Sequence, residues 1–215
     1  MKVDLARTRR IAADWAESPY YELAKQWMEP FWGGGTPFRE LFDQLNLGRV
    51  VELASGRGRH SEVIVGRCGH LTLIDINQTN IDACKSALAG HGNVDFIVNE
   101  GFDIPLPDES CDALFTYDSL VHFEADAVLT YIGETARVLA PGGRALFHYS
   151  NYDAEPGKDV HENPHWRNFM SQKLFHHFAM RRGLTILDSR LLAWGSENAR
   201  VADLDCLTLV EKPRR

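Results

Sequence analysis

The stretch that decides the fold is residues 49–58, which read RVVELASGRG. A short apolar run, typical of a buried strand, passes here directly into a turn made of small residues. Such residues let the backbone turn sharply and approach a ligand closely. A helical pattern follows, and its first N–H groups would suit a carboxylate or a phosphate. A tight turn without any ligand is the alternative that this stretch alone leaves open.

A regular alternation of elements continues downstream of this turn. Short runs rich in β-branched or aromatic residues predict four further strands, at 71–75, 94–98, 112–117 and 144–149. Helical patterns lie between them, at 59–67, 78–89 and 124–139. This alternation predicts right-handed crossovers and an α/β fold, with a doubly wound, mostly parallel sheet covered by helices on both faces.

The last third of the chain changes rhythm. A loop over 151–163 leads to a helix predicted over 164–182, for which Asn163 is a suitable N-cap and Pro164 a suitable first residue. Its buried face would carry four residues spaced four apart, Trp166, Met170, Leu174 and Phe178. Two strands follow, over 184–194 and 204–211, with no helix between them. We therefore expect this terminal pair to be antiparallel.

The first 46 residues differ from the rest by their many aromatic side chains and by a glycine run at 33–35. They predict a helical arm or lid over 1–46, ahead of an α/β core over 47–215. The aromatic residues either pack the arm onto the core or line the mouth of a pocket. Tyr20 and Trp32 are the candidates for contact with a substrate.

The composition excludes several classes of protein. The chain has 215 residues, with 23 Lys and Arg against 30 Asp and Glu, and a formal net charge of −7. This balance argues against a surface that binds nucleic-acid backbones. No apolar run approaches the roughly 18 residues of a membrane span, and the start lacks the apolar centre of a secretory signal. Because the four cysteines also form no C-x-x-C pair, we expect a cytoplasmic protein.

An acidic residue about 20 positions after the glycine turn strengthens the case for a ligand site. Asp75 ends the second predicted strand, where a carboxylate can accept hydrogen bonds from the diol of a ribose. A dinucleotide site would read G-x-G-x-x-G. Residues 52–58 instead read E-x-A-x-G-x-G, and Arg59 and His60 stand where the third glycine is expected. The pair therefore favours a nucleoside cofactor other than a nicotinamide dinucleotide.

Five segments together resemble the class I S-adenosylmethionine (SAM) dependent methyltransferases. Residues 52–58 are similar to the first motif of that family, and Asp75 is similar to the acid that ends its second strand. Three later segments are similar to its adenine loop, to the end of its fourth strand and to the turn before its fifth strand: 99–112, 117–122 and 137–143. The resemblance implies a Rossmann-like fold with an antiparallel last strand, SAM as the cofactor and methyl transfer as the reaction.

The resemblance also implies a set of cofactor contacts. The implied residues are Glu52, Ala54 and Gly56 at the methionine part of SAM, Asp118 and Ser119 near the sulfonium, Asp75 at the ribose, and Ile76, Glu100, Gly101 and Phe102 at the adenine. One position departs from the family pattern, because Ala54 replaces the first glycine of the motif. An alanine cannot freely adopt a positive φ.

Two histidines are candidates for the acid–base chemistry of the acceptor. His122 follows the fourth predicted strand, and His148 lies near the end of the fifth. Ligands of open α/β sheets bind outside these strand ends. Either histidine could accept a proton from an attacking hydroxyl group, and either could equally be a structural residue.

A cluster of polar and aromatic residues after the fifth strand indicates a loop that covers the substrate. The candidates for substrate contact there are Asn151, Tyr152, His165 and Arg167. A surface loop with ordinary helix caps is the alternative.

Residues 161–165, HENPH, match the zinc motif H-E-x-x-H. That motif needs both histidines on one face of a helix. Asn163 and Pro164 instead put the predicted start of the helix between them. We therefore expect no metal site.

These features lead to one principal hypothesis about function and two alternatives. The principal hypothesis is a methyltransferase that moves a methyl group from SAM to oxygen or nitrogen of a small-molecule acceptor by in-line displacement. A non-catalytic SAM-binding module in an assembly is the second hypothesis, and a nicotinamide-dependent oxidoreductase is the third. Neither a nucleic acid nor a membrane is an expected partner.

Overall fold

One mixed sheet carries the fold in the described residues, 3–195 and 198–214 of this computed structural model. Its seven strands are β1 (Arg49–Leu53), β2 (His70–Asp75), β3 (Val94–Val98), β4 (Cys111–Thr116), β5 (Leu139–Ser150), β6 (Thr185–Trp194) and β7 (Val201–Glu211). They lie in the order β3-β2-β1-β4-β5-β7-β6. The order reverses between β1 and β4, and ligands of open α/β sheets bind at such a switch point.

The strand pairing is parallel except at β7. Val51 of β1, for example, lies opposite Thr72 of β2 on one side and Leu114 of β4 on the other, both in parallel register. β7 runs antiparallel to both β5 and β6. The predicted fold class is confirmed, and so is the antiparallel pairing of the terminal strands.

Eight α-helices are present in the described residues. They are α1 (Leu5–Ala16), α2 (Tyr20–Leu23), α3 (Glu29–Trp32), α4 (Pro37–Phe42), α5 (Ser61–Ile64), α6 (Gln78–Ala87), α7 (Ala125–Val138) and α8 (Gln172–Arg181). Short 3₁₀ turns occur at Ala24–Trp27, Val65–Arg67, Leu120–His122, Val160–Glu162 and Pro164–Trp166.

A separate apolar core lies on each face of the sheet. On β4, Leu114 belongs to the core that α7 and α8 cover, whereas the next residue, Phe115, belongs to the core that includes α4. This alternation is the period of two that a strand imposes on its side chains. The Phe115 ring meets Phe42 of α4 edge to face, with ring centroids 5.2 Å apart. Each of these two cores is covered by helices, so helices lie on both faces of the sheet, as predicted.

The helix predicted over 164–182 is wrong in its first half. α8 begins only at Gln172, and its N-cap is Ser171, whose hydroxyl accepts a hydrogen bond from the Leu174 N–H. Asn163 and Pro164 instead begin the 3₁₀ turn Pro164–Trp166, and the Asn163 side-chain amide donates to the Arg167 carbonyl and caps no helix. The buried face is also different, since Phe175 and Ala179 are the buried residues of α8.

Two neighbouring residues explain why no helix forms at that point. His165 and Trp166 have φ values of 50° and 54°, which no right-handed helix accommodates. Trp166, predicted to be buried, is 42% exposed. The spacing of four residues from Trp166 to Phe178 therefore does not mark the buried face of one helix.

The helix predicted over 59–67 is shorter than expected. α5 begins at Ser61, and the chain continues as a 3₁₀ turn over Val65–Arg67. Residues 56–60 form turns between the strand and this helix. The N-terminus of α5 is therefore separated from the glycine turn, and a helix of one turn supplies little of the expected dipole.

The segment before β1 lies over the carboxyl ends of the central strands. The Asp4 N–H donates to Asp126 Oδ2 at 2.8 Å, and the Asn77 side chain donates to the Ala12 carbonyl at 2.9 Å. The division into an arm over 1–46 and a core over 47–215 stays a prediction. Among the described helices, none combines the length and the apolar character needed to cross a membrane.

Candidate active site

The turn after β1 has a left-handed backbone at three residues. Ala54, Gly56 and Gly58 have φ values of 55°, 54° and 83°. Ala54 thus adopts the conformation that its side chain disfavours, at a cost of roughly 1–2 kcal/mol. A hydrogen bond from the Ser55 N–H to the Ile74 carbonyl holds the turn against β2. Gly56 also lacks space for a side chain, because a Cβ would lie 2.8 Å from the Tyr21 ring.

Asp75, at the end of β2, receives three hydrogen bonds. Oδ2 accepts from the Gly56 N–H at 2.9 Å, and Oδ1 accepts from the Asn77 N–H at 2.9 Å and from the Asn80 side chain at 3.0 Å. Burial raises the pKa of Asp75, and these donors oppose the rise. The carboxylate therefore ties the glycine turn to the end of β2.

A cavity of about 1080 Å³, its open mouth included, lies above this turn. Many of the predicted site residues line it: Tyr20, Ala54, Gly56, Asp75, Ile76, Gly101, Asp118, Ser119 and His122. They come from α2, from the ends of β1 and β2, and from the loops that follow β3 and β4. The structure thus brings seven of the ten predicted cofactor residues and His122 to one site.

Three predicted cofactor residues lie outside the cavity wall. Glu52 is buried beneath the turn and accepts a hydrogen bond from the Ser61 hydroxyl. Burial raises its pKa to about 8. Glu100 is exposed and pairs with Arg9 at 3.2 Å. Phe102 is half-buried and does not reach the cavity.

A buried ion pair forms the inner wall of the cavity. Arg59 Nη2 donates to Asp118 Oδ2 at 2.7 Å, and the Tyr20 hydroxyl donates to the same oxygen. The Arg59 guanidinium lies 5.7 Å from the centre of the Tyr20 ring and also 5.7 Å from that of Phe31. Burial and the Asp118 carboxylate raise the pKa of Tyr20. Asp118 itself has a φ of 56°, a conformation that clusters at functional sites.

His122 is held in one tautomer. Its Nδ1 lies 2.8 Å from the Trp166 carbonyl oxygen, which can only accept, so Nδ1 carries the hydrogen. Among the described residues, its ring hydrogen-bonds through Nδ1 and not through Nε2. The Trp15 ring lies against the imidazole, with ring centroids 4.6 Å apart. Burial, with the charge of Arg167, lowers the pKa of His122 to about 4, so the ring is neutral at pH 7.

The lowered pKa of His122 predicts a loss of stability in acid. The unfolded chain takes up a proton as the pH falls below about 6.5, whereas the folded protein does so only near pH 4. The contribution of neutral His122 to the free energy of unfolding is therefore complete above pH 6.5. About 3 kcal/mol of it is lost as the pH falls from 6.5 to 4.

Urea unfolding at pH 7, 5.5 and 4 checks this expectation. The stability difference between the wild type and His122→Asn should change across this range, because the variant has no imidazole to protonate. His91→Asn, which removes an exposed histidine, should follow the wild type. Parallel pH curves for the wild type and His122→Asn would refute the lowered pKa.

His148 is placed differently from His122. It is fully buried and does not line the cavity. Its Nδ1 accepts a hydrogen bond from the Asp118 N–H at 3.0 Å, and its Nε2 lies 3.2 Å from Asp205 Oδ2. The Tyr117 ring stacks on it, with ring centroids 4.5 Å apart. Nδ1 is thus occupied, while Nε2 lies sealed in the interior beside Asp205 without a hydrogen-bond partner among the described residues. His148 is therefore placed to position the Asp118 backbone and not to act as a base.

The buried network continues from His148 to Arg167. Asp205 receives two hydrogen bonds from the Arg167 guanidinium, at 2.7 and 2.6 Å. Burial by itself raises the pKa of Asp205, but the contacts from His148 and Arg167 hold it at about 2. The chain Arg167–Asp205–His148 ends on the Asp118 backbone and so supports the strained residue of the cavity wall.

The remaining predicted substrate residues separate into two groups. Trp32 donates to His60 Nδ1 at 3.0 Å inside the core. Asn151 accepts from the Gln172 N–H at the start of α8, and Tyr152 forms an isolated bridge with Phe169. None of these three lines the cavity. His165 and Arg167 line a second hollow next to it.

Several residues of the cavity wall are not predicted from the sequence. Arg59 follows the glycine turn directly, and α1 contributes Thr8, Ile11, Ala12 and Trp15. The signal was present, because these four residues of α1 have the spacing of one helical face. A pattern of this kind does not reveal which surface the face covers.

The histidines of the H-E-x-x-H string do not share a helix. His161 lies between Asp159 and Asp14, at 2.6 and 3.0 Å, in one 3₁₀ turn. His165 belongs to another 3₁₀ turn and lies 3.2 Å from the Ala199 carbonyl. No group of three or more potential metal ligands occurs among residues 3–195 and 198–214.

Fold and site together define a class of protein. The strand order, the glycine turn and Asp75 are those of a doubly wound α/β protein with a nucleoside site at its switch point. The model of a family described as "Methyltransferase domain" matches residues 51–147. The fold, the site and this match together support a class I SAM-dependent methyltransferase, a family whose members use SAM as cofactor.

Two relatives are methyltransferases by name, and one solved structure has a similar fold. The chain is 29% identical over 101 residues to a demethylmenaquinone methyltransferase from Clavibacter sepedonicus and 29% identical over 100 residues to an O-methyltransferase from Aspergillus nomiae. These matches cover 46% and 45% of this chain but only 39% and 44% of the relatives. A geranyl diphosphate methyltransferase has a similar fold, with a TM-score of 0.71 at 13% identity over 96% of this chain and 99% of its own.

The residues of the cavity fit SAM. Arg59 Nη1 is buried and has no partner among the described residues, so a carboxylate such as that of the methionine part can accept a hydrogen bond from it. Asp75 Oδ2 accepts from a single donor, which leaves it able to accept from a ribose hydroxyl. The chemistry of these groups thus matches an amino-acid carboxylate and a sugar diol.

Proposed function

We propose that the chain transfers the methyl group of SAM to a hydroxyl group of a small-molecule acceptor, with His122 as the general base. The observation that carries the proposal is His122, which lines the same cavity as Asp75 and Gly56 and whose Nδ1, but not its Nε2, is hydrogen-bonded among the described residues. Bound SAM supplies a methyl group on a positively charged sulfur, which needs no further activation. The residues of the chain then have to orient the acceptor and take its proton.

The hydrogen bonds of His122 prepare it for this role. The Trp166 carbonyl holds the proton on Nδ1, so the lone pair of Nε2 is available to the acceptor hydroxyl. A pKa of about 4 keeps the ring neutral, and thus able to accept, at any pH near 7. The proton of the acceptor would pass to Nε2 as the new bond to oxygen forms.

Asp118 and its partners would orient the acceptor beside His122. The carboxylate is fixed by Arg59 and by the Tyr20 hydroxyl. The buried chain from Arg167 to His148 fixes the backbone N–H of the same residue. A polar group held from both sides loses little freedom when a substrate binds, which favours a defined geometry for the reaction.

The segment 1–46 would act as the lid over this site. Its aromatic side chains Trp15, Tyr20 and Tyr21 line the cavity, and their apolar surface would exclude water during the transfer. The contacts of α1 with the core include the Arg7–Glu124 ion pair at 3.6 Å and the approach of His161 to Asp14 at 3.0 Å. Such partly exposed contacts contribute only about 0–1 kcal/mol each, whereas Phe38 and Phe42 of α4 are buried in the core. Only α1 and α2 would therefore open for exchange of ligands.

Calorimetry with S-adenosylhomocysteine and with NAD tests the cofactor side of the proposal. The wild type should bind S-adenosylhomocysteine and not NAD. Asp75→Ala should weaken that binding by about 1.5–3 kcal/mol, the usual contribution of hydrogen bonds to a charged group. Asp95→Ala removes an exposed carboxylate from the neighbouring strand β3 and should bind as the wild type does. Binding of NAD alone, or an Asp75→Ala variant of full affinity, would contradict the proposed site.

A further inference from the structure

A second hollow of about 660 Å³, its opening included, lies beside the cofactor cavity. The two spaces share four residues, Trp15, Tyr20, Asp118 and His122. A molecule in the second hollow therefore has direct access to His122 and Asp118. On its far side this hollow is bounded by Trp166 and by Trp194 at the end of β6.

Aromatic rings make up much of the wall of this hollow. The Trp15 ring meets Trp166 edge to face, with centroids 5.8 Å apart, and Tyr20 in the same manner at 5.6 Å. Trp166 leaves 42% of its surface exposed. A backbone with two successive positive φ values, at His165 and Trp166, holds it there. Each such residue costs on the order of 1–3 kcal/mol and is typical of sites that hold a ligand.

The charged groups that line the hollow are already paired. Asp118 is bound by Arg59 and Tyr20. Arg167 is bound by Asp205 through two hydrogen bonds. An ion that entered would lose its hydration and would find no free partner of opposite charge among the described lining residues. A neutral molecule avoids this loss.

We propose that this hollow binds the acceptor, and that the acceptor is a neutral, planar aromatic molecule whose hydroxyl group faces Nε2 of His122. The inference rests on the proposed function for the hydroxyl and its methylation. The preference for a neutral aromatic ring rests on the wall of the hollow alone. The binding of the ring can therefore be measured separately from methyl transfer.

Three probes of similar shape test the proposal on the full chain. 2-Naphthol is neutral and aromatic, 2-naphthoate is its anionic counterpart, and decahydro-2-naphthol lacks the aromatic system. Quenching of tryptophan fluorescence, or calorimetry, gives each dissociation constant with and without S-adenosylhomocysteine. We expect 2-naphthol to bind about tenfold or more tightly than either of the others, since each aromatic contact favours it several-fold.

Substitutions in the wall locate the binding. Trp166→Leu should weaken 2-naphthol binding about tenfold, and Trp166→Phe should restore most of it because it keeps a ring. Phe169 is a 36% exposed ring in the same segment that lines neither space. The control variant Phe169→Leu should therefore bind 2-naphthol as the wild type does. Thermal unfolding of each variant shows that it is folded.

Two results would overturn the proposal. One is absence of 2-naphthol binding, or binding of 2-naphthoate or decahydro-2-naphthol with equal strength. The other is a folded Trp166→Leu variant that keeps full affinity. A chain that binds 2-naphthol as expected but does not bind S-adenosylhomocysteine would contradict the proposed function alone. A chain that binds S-adenosylhomocysteine and shows no preference for 2-naphthol would contradict this inference alone.

Discussion

Replacement of His122 by Asn should lower kcat for methyl transfer roughly 10²–10⁴-fold, the usual effect of removing a general base. Asn is the informative choice, because its amide can still donate to the Trp166 carbonyl as Nδ1 does in the wild type. The wall of the cavity is thus preserved while Nε2 is lost. Affinity for S-adenosylhomocysteine should stay unchanged, since Asp75 and the glycine turn are untouched. Released S-adenosylhomocysteine, measured with an acceptor that supports turnover, gives the rate.

The pH dependence of the rate separates a base from a structural residue. In the wild type, kcat/KM should fall in acid with the pKa of His122, about 4 in the free protein, because protonated Nε2 cannot accept. The acidic limb should disappear in His122→Asn. His176→Asn removes a half-buried histidine that contacts Ser189 on β6 and should keep both rate and profile. A His122→Asn variant with the wild-type rate would favour an acceptor that needs no base, such as a neutral amine.

Those parts of the fold that depend on local pattern were predictable from the sequence. The helix predicted over 78–89 is observed at Gln78–Ala87, and the strand predicted over 94–98 is observed at Val94–Val98. In both, the period of apolar residues and the neighbouring turn residues decide the structure. The helix predicted over 164–182 is wrong in its first half because the conformation there depends on a residue far away in the chain. Arg167 is drawn into the interior by Asp205, 38 positions away, and the chain there cannot be helical.

The candidate site was likewise predictable only in part. Its cofactor side follows from short motifs at strand ends, so Gly56, Asp75 and Asp118 could be predicted to lie together. The acceptor side depends on contacts between segments far apart in the chain, such as Tyr20 with Asp118, 98 positions on. Nor does the sequence show toward which of the two cores His148 points, since both faces of β5 are buried. A strand with two buried faces has no polar side from which to read direction.

The buried pair of Arg167 and Asp205 should make a large contribution to stability once one partner is removed. Arg167 is 1% exposed and Asp205 is fully buried. Arg167→Met keeps much of the volume but leaves the Asp205 carboxylate with His148 as its only contact among these groups. A buried charge without its partner costs about 3–5 kcal/mol. Urea unfolding at pH 7 should therefore show a loss of this size.

Two further variants decide whether the lost partner is the cause. Arg49→Met removes an arginine of similar geometry from an exposed pair with Asp112 and should cost no more than about 1 kcal/mol. The double variant Arg167→Met/Asp205→Asn should recover part of the stability, because the neutral amide no longer needs a cation. If the free energy of unfolding of Arg167→Met lies within about 1 kcal/mol of the wild-type value, the pair does not hold the network together. The backbone of Asp118 would then have to owe its position to Arg59 and Tyr20 alone.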